Sequence, residues 1–351
     1  MGSRRSFPAG NRSGDFALKL LPDFRFSACI ARFLASILVA LAFICAAHPA
    51  QAQPQVPPLR VQVRLVNVFV NVTDQTGAPI PGLTKNDFSV FDNGQQQQIA
   101  VFEQHSDRPL SIVLAIDTSG SVQKDLGLET EDAREFIHAL LRPSDRVAVL
   151  DFNTAVHQVV PFTNNLRVID TALRRLSRGP ATALYAALVQ GAQQLAPLHG
   201  RKVLIVISDG GNTVDGVDYP QALDAARRAQ AMIYPIIDLP IINDAGRDIA
   251  GEHALITLSQ QTGGKYYYAQ SGNLQPVFNR VASDLRTEYL LAYYPKSVHR
   301  RFSRYHAITV KLNVPRASSY QVTYRTGYYA DSGNHQNMLG PADGGPNGSL
   351  R

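Results

Sequence analysis

The sequence predicts an α/β fold: a doubly wound, mostly parallel six-stranded sheet flanked by helices, with a small antiparallel β domain built from both flanks of that sheet. Two observations lead to this prediction. Between about residues 110 and 287, nearly continuous apolar segments such as LSIVLAID alternate with helical segments such as TALYAALVQGAQQLA, and parallel neighbours need crossover helices of this kind. On either side of this region, apolar residues alternate with polar ones, which is typical of antiparallel strands.

The first 52 residues have the order of a secretory signal peptide. Basic residues precede the apolar segment FLASILVALAFICAA, and AQA at 50–52 supplies a small-x-small cleavage site. The apolar segment is shorter than the ~20 residues that a helix needs to span a bilayer, although an uncleaved anchor is the alternative. Cys29 and Cys45 both lie in this leader. We therefore expect export to the periplasm, cell envelope or extracellular space, no transmembrane span in the mature chain, and neither disulfides nor thiolate metal sites.

The positive charge lies mostly in the same leader. The chain has a formal net charge of +6, and residues 1–52 contain six Lys and Arg against two Asp and Glu. The remainder has 28 basic and 26 acidic residues and no basic–aromatic stripe. Nucleic acid is therefore not an expected partner.

Composition and turn signals divide the chain into six parts. Residues 53–58 are rich in Pro and Gln, Asn93-Gly94 is a strong hairpin signal, and the last residues lack core-forming side chains. The expected order is a signal peptide at 1–52, a linker at 53–58, a first β part at 59–106, the α/β domain at 107–287, strands at 288–330 that join the first β part, and a disordered tail at 331–351.

Polar side chains follow two of the buried strands and open one helix. LSIVLAID ends in Asp117, which Ser119 and Ser121 follow, LIVISD ends in Asp209, and Thr182 opens the helix TALYAAL. Ligands gather beyond the carboxyl ends of parallel strands where the strand order reverses, so we expect these five side chains to share one site. Two carboxylates and three hydroxyls form an all-oxygen set that suits Mg²⁺ or Mn²⁺.

Each of these residues also has a local alternative role. Either serine can cap the helix that follows, Thr182 can be an N-cap, and Asp209 can form a turn. These roles leave the shared position of the five residues unexplained.

DTSGS at 117–121, the threonine before a helix, and SDG at 208–210 resemble the metal-ion-dependent adhesion site of von Willebrand factor type A (VWA) domains. The resemblance covers about 110–287. It implies that the serine hydroxyls ligate the metal directly, the threonine directly or through water, and the aspartates largely through water. It also implies an open coordination position for an Asp or Glu of a protein partner. GPA before Thr182 departs from the usual glycine-rich turn, and Lys124 stands where a second aspartate would help to hold an adjacent ion, so a second metal is not expected.

The flanks, VFVNVTDQTGAPIPGL before this region and EYLLAYYP after it, resemble the acidobacterial VWFA-related family of exported proteins. The combined resemblance implies an exported, non-enzymatic protein-binding module of the adhesion type. Two other functions stay open: an envelope scaffold or assembly factor with a structural metal, and a metal-dependent hydrolase. The sequence lacks the G-x-S-x-G, H-E-x-x-H and P-loop motifs that would favour an enzyme.

A polar loop at 238–252, DLPIINDAGRDIAGE, follows a predicted parallel strand and is expected on the metal face. Among its charged residues, Asp244, Arg247 and Asp248 are predicted to contribute to partner choice. A solvated loop without this function is the alternative.

Overall fold

The computed structural model describes residues 65–104, 108–120, 126–239, 248–270, 274–296 and 305–330. All of them lie in one compact unit, residues 62–351. The predicted signal peptide, linker and tail lie outside the described residues, as do both cysteines. Within the described ranges, no helix is long and apolar enough to cross a bilayer.

The strands are numbered in chain order: β1 (Val66–Thr73), β2 (Phe88–Asp92), β3 (Gln95–Gln97), β4 (Ile99–Gln104), β5 (Leu110–Asp117), β6 (Arg146–Phe152), β7 (Val156–Thr163), β8 (Arg201–Ser208), β9 (Met232–Leu239), β10 (Tyr267–Gln270), β11 (Tyr289–Tyr293), β12 (Tyr305–Leu312), β13 (Gln321–Tyr324) and β14 (Gly327–Tyr329). The α-helices are α1 (Leu126–Leu140), α2 (Leu166–Leu173), α3 (Leu184–Leu195), α4 (Tyr219–Ala229), α5 (Ile249–Thr262) and α6 (Gln275–Thr287). Among the described residues, short 3-10 helices lie at Lys85–Asp87 and Ala317–Ser319.

The central sheet has six strands in the order β10-β9-β8-β5-β6-β7. All pairs are parallel except β6 with β7, which are antiparallel. The chain leaves β5 for β6 on one side and later returns to β8 on the other, so the strand order reverses at β5. Every residue of β5 is buried, because helices cover both faces of the sheet.

Two hydrophobic cores flank this sheet. One face packs against α1, α2 and α6, with Phe136 and Phe278 stacked at 4.4 Å between ring centroids. The other face packs against α3, α4 and α5, where Leu188 and Leu255 are fully buried. The predicted doubly wound α/β architecture is confirmed.

Two four-stranded sheets combine strands from both flanks, in the orders β13-β1-β11-β4 and β14-β12-β2-β3. Their inward side chains, among them Val68, Val90 and Leu291, form a third core. The β2–β3 hairpin turns at Asn93 and Gly94 with φ values of 49° and 79°, as a two-residue type I′ turn requires. The antiparallel β part and its hairpin are thus present as predicted.

A buried ion pair fastens the β part to the α/β part. Glu288 is the single residue between α6 and β11, and its Oε2 lies 2.6 Å from Nη2 of Arg201. Asn71 Nδ2 and the Tyr234 hydroxyl each donate to Oε1 of Glu288 at 3.3 Å. Burial raises the pKa of Glu288, and the charge of Arg201 opposes this shift. Such a pair is costly to break, because the remaining charge would stay buried.

The helix α2 was not predicted. It is only eight residues long, and it places Ile169 and Leu173 in the core. The side chain of Asn165 caps it by accepting a hydrogen bond from the Arg167 N–H at 3.1 Å.

Candidate functional site

The carboxyl ends of β5 and β8 bring Asp117 and Ser208 together. The two strands are parallel neighbours with Ile116 opposite Ile207. The Ser208 hydroxyl donates to Oδ2 of Asp117 at 2.7 Å, and the Ser119 N–H donates to Oδ1 at 2.9 Å. Asp117 and Ser119 are both fully buried. This strand end is therefore an organised polar site rather than a solvated turn.

Asp117 is a buried carboxyl whose pKa burial raises to about 6. Hydrogen bonds from Ser208 and Ser119 oppose the shift, whereas the negative charge of Asp209 adds to it. Within the described ranges, no Lys, Arg or His forms an ion pair with either aspartate. The ionised form of Asp117 is consequently destabilised, and a bound cation would stabilise it.

Asp209 lies at the turn that follows β8. Its Oδ1 accepts a hydrogen bond from the Gly211 N–H at 3.0 Å, so it has the local turn role that the sequence left open. Gly210 has a φ of +95°, and a Cβ there would lie 2.8 Å from the backbone nitrogen of Glu252. Only glycine fits this conformation and this close approach. The turn therefore packs directly on the first turn of α5.

Thr182 lies against the same turn. Its N–H donates to the Thr213 hydroxyl at 2.8 Å, and its carbonyl accepts from the Thr213 N–H at 2.9 Å. The N-cap of α3 is Ala183, with no side-chain cap. The interpretation of Thr182 as an N-cap is thus wrong, and its buried side chain is left for another role.

Asn153, which the sequence analysis did not identify, joins the loop before α3 to the loop after β5. Its Nδ2 donates to the Thr118 hydroxyl and to the Ser177 carbonyl, both at 3.1 Å. Its own carbonyl accepts from the Ala183 N–H at 2.7 Å. A Cβ on Gly179 would lie 2.6 Å from Oδ1 of Asn153, so the loop can approach only because residue 179 is glycine. The one sequence signal for Asn153 is its position directly after the buried strand RVAVLDF.

An Asp–His–Ser cluster lies beside this loop. Asp151 is buried, and its Oδ1 lies 3.0 Å from Nδ1 of His157. Its Oδ2 accepts from the Ser177 N–H at 2.7 Å and from the Ser177 hydroxyl at 3.0 Å. The Ser177 hydroxyl lies 3.5 Å from the same histidine nitrogen, Nδ1. In a catalytic triad the histidine uses one nitrogen for the aspartate and the other for the serine, so this cluster holds a loop and is not arranged as a triad.

Three of the predicted site residues lie outside the described residues: Ser121, Asp244 and Arg247. Asp248 is described, and it is the N-cap of α5, where its Oδ1 accepts from the Gly251 N–H at 2.9 Å.

The predicted loop at 238–252 is shorter than expected. Asp238 belongs to β9 and Glu252 to α5, and both side chains are largely buried. Glu252 accepts a hydrogen bond from the Tyr268 hydroxyl, so it anchors α5 to β10. We predicted these two residues to lie in the loop because their charged side chains interrupt the apolar patterns of β9 and α5.

Asp117, Ser119, Thr182 and Asp209 therefore lie on three loops at one edge of the sheet. Their donors are carboxylate and hydroxyl oxygens, which suit a hard cation such as Mg²⁺. In the described part of the chain, no group of three or more His, Cys, Asp or Glu side chains could hold a metal ion. Of the four described donors at this edge, two are carboxylates and two are hydroxyls.

Comparison with known proteins gives one family match. Residues 112–212 match the family model described as von Willebrand factor type A domain. No curated protein sequence matches the chain significantly.

Several solved structures are similar at low sequence identity. An aerotolerance-related membrane protein from Bacteroides fragilis NCTC 9343 is 19% identical with a TM-score of 0.40, over 50% of this chain and 98% of that one. The vWF domain of the type V pili tip protein Mfa5 from Porphyromonas gingivalis is 15% identical with a TM-score of 0.41, over 50% and 94%. The pilus adhesin SpaC from Lactobacillus rhamnosus GG is 13% identical with a TM-score of 0.43, over 74% and 47%.

The matched residues run from β5 to the turn after β8, and they include every candidate site residue from Asp117 to Asp209. Residues 112–212 of the α/β part thus match the model of the von Willebrand factor type A domain.

Proposed function

We propose that the protein is an exported, non-enzymatic binding module of the adhesion type. In this proposal a divalent cation, Mg²⁺ or Mn²⁺, is held by Asp117, Ser119, Ser121, Thr182 and Asp209. When bound, the cation supplies a coordination position for a carboxylate of a protein partner. The observation that carries the proposal is Asp117, a fully buried carboxylate at the point where the strand order reverses.

The composition of the donor set supports binding of a further carboxylate. Hydroxyls are neutral ligands, so two aspartates leave a divalent cation without excess negative charge around it. A partner Asp or Glu therefore gains more from the cation than it would at a site with four carboxylates. The chain's own residues have the task of orienting these donors, and the hydrogen bonds of Ser208 and Asn153 do this for Asp117 and for the Thr182 loop.

A pull-down from cell-envelope extracts tests the proposal. Wild-type protein, Asp117→Ala and Asp145→Asn are each used as bait, in Mg²⁺ and in EDTA. Asp145 is a matched control, because it is a buried aspartate at the opposite end of β5, where it accepts from the Leu110 N–H at 2.8 Å.

We expect a partner that wild type and Asp145→Asn retain in Mg²⁺ and release in EDTA, and that Asp117→Ala does not retain. A partner held equally in every condition contradicts metal-dependent adhesion. If EDTA lowers the Tm while the partner stays bound, the metal is structural and the protein is a scaffold. Turnover of a substrate that Asp117→Ala abolishes would identify a hydrolase instead.

A further inference from the structure

A small cavity lies between the β part and the edge of the central sheet that is opposite to the metal site. It has a volume of about 30 Å³, and its walls come from β1, the starts of β8 and β9, the end of α5 and Arg325. We call the contact between the β part and the α/β part the seam. It is tight at this point, because a Cβ on Gly263 would lie 2.4 Å from the backbone nitrogen of Arg325. The cavity is therefore a feature of the fixed contact between the two parts.

Arg325 brings a buried positive charge to this cavity. Only 9% of the residue is exposed. Its Nη2 donates to the Asn67 carbonyl at 2.5 Å, and within the described residues its Nε has no hydrogen-bond partner and is closed to solvent. Burial lowers the pKa of Arg325 to about 10, and the groups that oppose this shift are phenols, which are neutral at pH 7. A buried guanidinium in such a setting lacks a compensating anion.

The second buried arginine of the seam shows what is missing. Arg201 is 5% exposed, and it pairs with the carboxylate of Glu288 at 2.6 Å. Among the described residues that line the cavity beside Arg325, none is an Asp or Glu. Lys202 also lines the cavity, but its Nζ is exposed and donates to the Ala196 carbonyl at 2.8 Å. The seam thus contains one compensated arginine and one that is not compensated by protein groups of the described ranges.

Asn67 gives the cavity a further polar group. Its Oδ1 is buried and has no donor among the described residues. A half-turn of the amide exchanges Oδ1 and Nδ2 at no steric cost, which would direct an N–H donor into the cavity. The lining then offers a guanidinium and an amide N–H, with the apolar side chains of Phe69 and Met232 around them.

We propose that this cavity is a binding site for a small monovalent anion of the halide class, with chloride as the physiological ligand. The volume of the cavity is consistent with a small ion, because a cavity needs about 10–15 Å³ to hold one water molecule. A volume of about 30 Å³ therefore accommodates one or two ions or molecules of about the size of water. A monatomic anion fits this volume, and bulky organic anions do not. The anion compensates Arg325 and stabilises the seam without touching the metal site.

The test measures the Tm of the whole protein in sodium chloride, sodium bromide and sodium gluconate at equal ionic strength. We expect chloride and bromide to raise the Tm saturably by about 3 °C over gluconate. Arg325→Met should show no rise. Lys311→Met is the control, since Lys311 on β12 is exposed and lies over the ring of Phe91 on β2. It should respond like wild type.

Crystals soaked in bromide give a readout that does not depend on the folding of any variant. An anomalous peak in the cavity beside Nε of Arg325 supports the site. If the Tm is equal in the three salts and no bromide peak appears, the proposal is wrong and the cavity holds no halide. A halide response that Arg325→Met and wild type share would also overturn it.

Discussion

Replacing Asp117 by Asn removes a buried negative charge and keeps the shape of the side chain. The Asn oxygen can still accept a hydrogen bond from the Ser119 N–H. In wild type the Ser208 hydroxyl donates to Asp117 at 2.7 Å, and in the variant this bond can reverse, with the Asn amide donating to the Ser208 hydroxyl. Any change in stability therefore reports chiefly on the charge.

The magnitude follows from the pKa of Asp117, which burial raises from 3.8 to about 6. Each tenfold change in a proton dissociation constant is worth about 1.4 kcal/mol, so the difference amounts to about 3 kcal/mol. A carboxyl with a raised pKa in the folded state costs nothing below about pH 4. Its cost grows as the pH rises through the interval from 3.8 to about 6, and it is complete above that interval.

Urea unfolding in EDTA measures this effect at about pH 4 and about pH 7.5. At the higher pH we expect Asp117→Asn to be more stable than wild type by up to about 3 kcal/mol. At the lower pH we expect the two proteins to have nearly the same free energy of unfolding. Millimolar Mg²⁺ should then stabilise wild type and leave Asp117→Asn unchanged, because only the carboxylate gains from the cation. If Asp117→Asn is less stable than wild type at pH 7.5 in EDTA, or if its stability changes equally at both pH values, the buried charge of Asp117 does not have this cost.

Three further predictions concern the loops and the seam. Asn153→Ala should weaken Mg²⁺ binding about tenfold by freeing the loop before α3; calorimetry checks this, and Asn164→Ala, which loses only an exposed hydrogen bond to a carbonyl, should bind normally. Gly210→Ala should destabilise the fold by at least about 2 kcal/mol in urea unfolding, because its φ of +95° and its contact with α5 both exclude a Cβ; a smaller loss would mean that the turn can move. Glu288→Gln should cost about 3 kcal/mol by leaving a buried guanidinium unpaired, whereas Asp224→Asn, in an exposed pair of the same 2.6 Å length, should cost less than about 1 kcal/mol; equal costs would contradict this explanation.

Much of the fold could be predicted because the hydrophobic period changes from one part of the chain to the next. The continuous apolar strands around β5 require helices on both faces, and Asn93-Gly94 has few conformations other than a hairpin turn. The short helix α2 was missed because it is only eight residues long, which is shorter than the window of about 11 to 18 residues that is needed to recognise a helical period.

At the candidate site, Asp117 and Asp209 could be identified because each follows a strong apolar run, and strand ends meet at one edge. Asn153 could not, since its role depends on the meeting of loops that follow β5, β6 and α2. Arg325 could not be singled out either. Its missing counter-charge is a property of the seam, and the sequence does not show which carboxylates lie near it.

Anomalous scattering from crystals soaked in Mn²⁺ tests the metal site most directly. The proposed metal site predicts one saturable peak enclosed by Asp117, Ser119, Thr182 and Asp209, and the loss of this peak in Ser119→Ala crystals. A peak at another place, or no peak at saturating Mn²⁺, would contradict it.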